Sequence, residues 1–307
     1  MLIISTKGMI RLNEVEIVRK ELRLIIRELG LLNHNCLNSE LTLAQAHILS
    51  YLKRNGIVAF NELVIQLGID KASLSRILNN LAVKDFIKIE KSHTDKRMKY
   101  ISMLPLGMKA IINGDYESNK FINQILHFGY EDGNNGIAKA FKEFHLLALK
   151  NNLIKDNRRI KIEKVSSNYM DDAIRLAIEV FTYEQNIPEK LIPIDKGLNP
   201  IWWCAKVGED IIGVLAGWVE SNQWHLGRFA VNRKLRSLGI GKKMIIFSLN
   251  EIFNLDVEKV FIEARDITIR ILEQFDCEVT GEPIDFYGEP VTPVTIKKYD
   301  FINKIKL

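Results

Sequence analysis

The chain has 307 residues, 47% of them hydrophobic, and a net charge of +5, so it carries enough apolar side chains for packed cores and wholesale disorder is excluded. Its three cysteines, Cys36, Cys204 and Cys277, are far apart and odd in number, which argues against a disulfide framework or a paired-cysteine metal site and for a reducing cytoplasm. No uncharged apolar run reaches about 18 residues, and Met1–Ser5 is too short for a secretory core before Lys7, so a soluble protein without a membrane span is expected.

Length alone suggests two domains. Residues 1–160 carry 24 basic against 16 acidic side chains, whereas 161–307 carry 19 against 22, which directs any polyanionic partner to the first half. The polar stretch 151–159 separates a helical region from a strand-rich one, predicting domains over 1–152 and 160–304.

In the first half, Val15, Val18, Leu22, Ile25, Ile26 and Leu29 recur at helical spacing. Thr42 is placed to cap a second helix with Ala46, Leu49 and Leu52 facing inward. A third helix is predicted from Phe60 to Leu67, stopping at Gly68, and a fourth opens at Asp70, a good N-cap. Residues 86–90 and 99–103 read as two strands around a polar tip. Helices return from Leu106, with a long one over about 136–150.

In the second half the signals alternate. A helix is predicted over about 168–181, then a hairpin from Trp202–Val207 and Ile211–Trp218 around Gly208. A strand over Trp224–Val231 leads into a glycine-bearing turn and a helix from about Lys242 to Phe253. Strands over Val260–Ala264 and Val291–Lys297 follow. Trp202, Trp203, Trp218 and Trp224 are expected in the core of the sheet.

Helix, Gly68 turn, helix and basic hairpin form the layout of a winged helix-turn-helix. Lys71, Ser73, Ser75, Arg76 and Asn79 would offer polar groups to a major groove, while Lys96, Arg97 and their neighbours neutralise phosphates. Residues 10–150 resemble a MarR-type winged helix. The wing is the most specific part, with Asp95-Lys96-Arg97 followed by Tyr100-Ile101-Ser102 and Gly107. The resemblance implies that Asp95 orients Arg97 toward a double-stranded DNA operator. It also implies a homodimer formed through terminal helices, here about 12–29 and 136–150.

In the second half, Arg228 to Met244 combines a strand ending at Val231, the turn Arg236-Ser237-Leu238-Gly239-Ile240-Gly241, and Lys242 opening an amphipathic helix. Glycines admit positive φ and close approach, and a helix N-terminus favours a diphosphate. This stretch resembles the GNAT superfamily of acyl-CoA-dependent N-acyltransferases, whose cofactor signature matches Arg236, Gly239 and Gly241. Two further segments resemble one bacterial subgroup. One is Val180 to Pro188, and the other is Gly281-Glu282-Pro283-Ile284 with Gly288 and Pro290.

The fold implied is a mainly α winged helix followed by an α/β (α+β) domain with a mixed sheet. The implied cofactor is acetyl-CoA or another acyl-CoA, held at Phe229, Ala230, Val231 and residues 236–242. The implied activity is N-acetyl transfer to a small-molecule or protein amine. Such transfer needs a base for the attacking ammonium and an acid for the leaving thiolate. Glu184 and His225 are the candidate catalytic residues, with Glu220 a further one and Tyr287 placed to line an acceptor pocket. The family's acidic tyrosine falls at Leu272, so this chain lacks it. Without that acid, an alternative is a domain that senses acyl-CoA and controls DNA binding.

Overall fold

A computed structural model of the chain describes residues 12–32, 36–127 and 136–305; the reading of Met1–Ser5 lies outside them. Two units emerge, Met1–Ile137 and Ala138–Leu307.

The first unit contains α1 (Leu12–Glu28), α2 (Leu43–Asn55), β1 (Val58–Ala59), α3 (Phe60–Leu67), α4 (Lys71–Val83), β2 (Ile87–Lys91), β3 (Lys99–Met103) and α5 (Pro105–His127). Its helix ends follow from local chemistry. Thr42 accepts from the Gln45 amide at 3.2 Å, and the Gln45 side chain accepts from the Thr42 amide at 3.1 Å, so each satisfies a free donor of the other. Gly68 ends α3 in the left-handed region at φ +63°. Asp70 starts α4 by accepting from the Ser73 amide at 2.9 Å, and that bond holds its carboxyl below the usual range.

The strands pair antiparallel in the order β1-β3-β2, and β1, a two-residue strand, was not legible in the sequence. Ile48, Leu49, Leu52, Leu63, Leu74, Leu78 and Ile101 are fully buried beneath them. Each such burial stabilises by about 2 kcal/mol. On α1, Val15, Val18 and Leu22 are exposed in the single chain.

Gly107 lies in the first turn of α5 rather than in a turn before it. A Cβ there would fall well inside contact distance of the Phe86 carbonyl oxygen. Gly107→Ala is therefore expected to destabilise the first unit by about 2–3 kcal/mol, because backbone rather than a flexible side chain must move. Chemical denaturation followed by far-UV circular dichroism checks this; an unchanged first transition would contradict it.

The second unit contains α6 (Gly136–Lys155), β4 (Lys161–Lys164), α7 (Met170–Phe181), β5 (Ile201–Val207), β6 (Asp210–Glu220), β7 (Gln223–Val231), α8 (Ile240–Phe253), β8 (Lys259–Ala264), α9 (Asp266–Leu272), β9 (Glu278–Val279), β10 (Ile284–Phe286), β11 (Glu289–Lys297) and α10 (Lys298–Ile305). The sheet runs β10-β11-β8-β7-β6-β5-β4, with β9 beside β11. Every pair is antiparallel except β7 with β8. β5 reads Ile-Trp-Trp-Cys-Ala-Lys-Val and is buried on both faces: Trp203 belongs to the core that α6, α8 and α10 share, and Trp202 to the core on the α7 side.

The helix expected to close the first domain goes with the second. Leu146, Leu149 and Leu153 of α6 are buried in the core that α8 shares with the sheet, which places the division at 137/138 rather than near 152.

Candidate functional site

β7 is the strand on which the site is built. On one edge it pairs with β6 through Ala216↔Gly227, Val214↔Ala230 and Gly213↔Val231, so Arg228 and Phe229 together oppose the single residue Leu215. This is a bulge, and Arg228 takes φ +53° to make it. On the other edge β7 pairs with β8 only at Trp224↔Val260, His225↔Phe261 and Leu226↔Ile262. Past Leu226 the two strands part, and Glu263 and Ala264 of β8 pair with β11 alone.

Among the described residues, 227–231 thus have no strand partner on this edge, where the Val231 carbonyl accepts only from the Arg236 side chain. The Asn232 amide donates to the Ile212 carbonyl at 2.9 Å, so strand alternation turns the peptide groups of Phe229 and Val231 toward the opening. An edge of this kind can take an extended, amide-bearing molecule as an added strand.

The turn beyond Val231 is shaped for an anion. Asn232 accepts from the Lys234 amide at 3.0 Å and starts a short 3-10 turn closed by Leu235. Ser237 and Gly239 follow at φ +70° and +73°. Among the described residues, no bond within the chain takes the amides of 236–239, and helix geometry leaves those at the start of α8 free as well. Successive free amides around left-handed residues make an anion-binding concavity, which the positive end of α8 reinforces.

The two glycines do different work. A Cβ on Gly239 would meet nothing within 4 Å and so would stand in open space. A Cβ on Gly241 would lie 2.8 Å from the Phe229 ring and 3.4 Å from Ile271. The first keeps space for a ligand; the second lets α8 pack on β7. A diphosphate-bearing cofactor with an extended amide arm fits both the edge and the turn.

The structure places several expected residues differently. Arg236 does not face outward over the turn. Its Nε donates to the Val231 carbonyl at 3.1 Å and its Nη2 to Glu184 Oε2 at 2.7 Å. Glu184 is therefore already engaged. Lys242 is exposed, with its Nζ 5.9 Å from the Phe275 ring centroid. His225 stacks on Trp218 at 5.7 Å and lies 6.0 Å from Phe261, in a half-buried row across β6, β7 and β8. Trp218 is thus not core: it leans over Gly227, where a Cβ would come 2.9 Å from its ring. Glu220 accepts from the Trp218 indole at 3.3 Å. Trp224 is half-buried against the helix-covered core, whereas Trp202 and Trp203 are buried as expected.

Leu272 is fully buried, so the helix position of the absent tyrosine offers no acid. Tyr287 stands exposed at the tip of the β10–β11 hairpin, which Arg265 holds to the end of β8 through Glu289 and the Phe286 carbonyl. Burial first, then Glu163, pushes the Cys204 thiol up to about 12, which leaves it no thiolate for nucleophilic chemistry.

Two residues of the site escaped sequence reasoning. Glu263 shares a face with Phe261 by strand alternation and sits one step past the last β7–β8 pair. Alternation in Val-Phe-Ile-Glu-Ala was a usable signal. Arg228 donates to the Ile192 and Leu191 carbonyls at 2.8 and 2.9 Å, and nothing local in the sequence marks it.

In the first unit, α4 exposes Lys71, Arg76 and Asn79, with Ser73 and Ser75 half-buried beside them. Arg76 donates to the Ser73 hydroxyl at 3.3 Å. At the wing tip Ser92 accepts from the amides of Thr94 and Asp95. Asp95 accepts from the backbone amide of Arg97 at 2.9 Å, so it fixes the chain at the tip and leaves the guanidinium outward. Lys96 and Arg97 are exposed.

The MarR family model matches residues 39–98, and the acetyltransferase (GNAT) family model matches residues 170–275. Solved structures similar to the chain include ElaA from Escherichia coli, at 16% identity over 45% of this chain and 99% of that one, with a TM-score of 0.42. An acyl-CoA N-acyltransferase from Pseudomonas aeruginosa is similar at 15% identity over 45% and 99%, with a TM-score of 0.40. The PaiA N-acetyltransferase from Thermoplasma acidophilum, in complex with coenzyme A, is similar at 15% over 45% and 98%, with a TM-score of 0.36. No curated protein matches the chain.

Proposed function

We propose that this chain, which joins a MarR-type helix-turn-helix to a GNAT-family domain, is a DNA-binding regulator that holds acetyl-CoA or another acyl-CoA and transfers its acyl group to an amine. The observation that carries the cofactor reading is the parting of β7 from β8 directly below a turn of free amides. In this reading Phe229 through its peptide group and Val231 through its amide hold the pantetheine arm, with Ala230 between them, while the Val231 carbonyl stays with Arg236. Residues 236–242 hold the diphosphate, through amides and the end of α8 rather than through the Arg236 side chain. When bound, the acyl-CoA supplies a thioester that an amine converts to an amide with release of free thiol. In this reading the acceptor amine meets His225 and Glu263, which lie on one face of the sheet beside the parting.

The DNA reading rests on the exposed face of α4 and on the wing, and the exposed stripe of α1 supports assembly as a homodimer. Arg97→Ala is expected to weaken binding to a random-sequence duplex and to lower the slope of log affinity against log salt by about one. Fluorescence anisotropy over a salt series reads this, and an unchanged slope would remove Arg97 from the interface.

A second reading is favoured by the buried Leu272. In it the domain binds acyl-CoA without turnover and alters DNA affinity, with reciprocal coupling between the two ligands. Incubation with acetyl-CoA and an amine panel, monitored for free thiol, separates the two. Thiol release dependent on an amine supports transfer; tight binding without release, combined with shifted DNA affinity, supports the sensor.

A further inference from the structure

We propose that Glu184 is a positioning residue for the cofactor turn: its carboxylate fixes the Arg236 guanidinium and so joins the segment after α7 to the turn that follows β7. This rests on reading that turn as the acyl-CoA site.

Arg236 donates from Nε to the Val231 carbonyl at 3.1 Å and from Nη2 to Glu184 at 2.7 Å. The first bond closes residues 231–236 into a loop, inside which the Leu235 amide donates to the Asn232 carbonyl at 2.9 Å. The amides that follow are presented from the end of that closed loop. A guanidinium is planar and forked, so fixing one side with a carboxylate orients the other.

Glu184 is itself firmly placed. Val180 before it and Ile187 after it are buried against the sheet. The amides of Asn186 and Ile187 turn back to the Thr182 and Phe181 carbonyls at 3.1 and 3.0 Å. Arg228 holds the same segment further along, through Leu191 and Ile192, and the Ile192 side chain is buried. Two arginines, one at the bulge and one in the turn, therefore fasten this segment to both ends of the opening on β7. Oε2 of Glu184 is taken by Arg236 rather than left for an attacking amine.

The consequence is preorganisation. With Glu184 in place the turn is ordered before the ligand arrives, and without it the ligand must order the turn at the expense of affinity. The test is calorimetric titration of CoA into the full chain as wild type, Glu184→Gln, Arg236→Ala and the double variant, with a thermal unfolding midpoint for each.

Glu184→Gln and Arg236→Ala are each expected to weaken CoA binding about tenfold, and the double variant no further, since both act through one contact. With any amine that the wild type acetylates, Glu184→Gln should raise KM for acetyl-CoA and leave kcat within about twofold. Unchanged CoA affinity in Glu184→Gln, or a collapse of kcat with affinity intact, overturns the positioning role and restores the proton-transfer one. Independent, additive losses in the double variant also overturn it. If Glu184→Gln does not fold, Arg236→Ala alone decides: unchanged affinity there overturns the proposal. A wild-type chain that does not bind CoA overturns the cofactor reading beneath it, which is a different failure.

Discussion

Gly239→Asp is expected to weaken CoA binding at least about a hundredfold while leaving both units folded. The residue sits at φ +73°, within the turn of free amides, and a Cβ there would meet nothing within 4 Å. Two costs combine. A left-handed backbone costs a residue with a Cβ roughly 1–2 kcal/mol. A carboxylate about 4 Å from a phosphate charge costs about 4 kcal/mol at an effective dielectric near 20. A hundredfold needs only about 2.7 kcal/mol, so the electrostatic part suffices. Gly239→Ala carries the backbone cost alone and is expected to lower stability by about 1 kcal/mol with a smaller loss of affinity. Titration calorimetry on the two variants separates the contributions. Gly239→Asp binding CoA like the wild type would move the diphosphate elsewhere.

The second large effect concerns the sheet that carries the site. Lys206 on β5 is 2% exposed, with its Nζ 2.5 Å from Glu163 Oε1 on β4 and 4.4 Å from the Tyr169 ring centroid. Lys161 holds the other oxygen of Glu163 at 2.9 Å. Burial pushes the Glu163 carboxyl up, but Lys206 and Lys161 outweigh it, and the group stays below its ordinary value of 4.5. Glu163→Gln deprives the buried ammonium of its carboxylate and is expected to destabilise the second unit by about 3–5 kcal/mol.

Lys206→Met together with Glu163→Gln should recover most of that loss, because an uncharged pair leaves no buried ammonium without its carboxylate. The sign with pH follows from the lowered carboxyl. Its contribution is complete above about 4.5 and is lost as pH falls through the folded-state value. The gap in unfolding midpoint between wild type and Glu163→Gln should therefore narrow below pH 4.5. A gap constant through acid pH would show that the pair contributes little.

What the sequence disclosed was mostly local. Thr42, Gly68 and Asp70 announce helix ends through their own side chains or lack of one, and all three stand where spacing placed them. The wing strands and the hairpin of β5 and β6 follow from alternation and turn residues. What stayed hidden depends on pairing between distant segments. The strand Lys161–Lys164 reads as a charged tail of the polar boundary, and only its place beside β5 makes it a strand. The bulge puts its left-handed φ on Arg228 rather than on the neighbouring Gly227, so residue type does not locate it. The parting of β7 from β8 is a matter of register, so the open edge was legible only through resemblance.

Side-chain direction was equally out of reach. Arg236 was expected beside the diphosphate, yet it bends back to Val231 and Glu184. Trp218 was expected in the core, yet it lines the face beside His225. The apolar spacing of α6 gave no sign of which unit it would join; Leu146, Leu149 and Leu153 settle that by burial.

The central claim is that the edge of β7 and the turn after it together cradle an acyl-CoA. Hydrogen–deuterium exchange with and without acetyl-CoA addresses it most directly, because amides 236–239 have no partner among the described residues and should exchange fast in its absence. The account predicts that acetyl-CoA slows exchange in the peptides spanning 227–242. Unchanged exchange there, with protection appearing in other peptides, would contradict it.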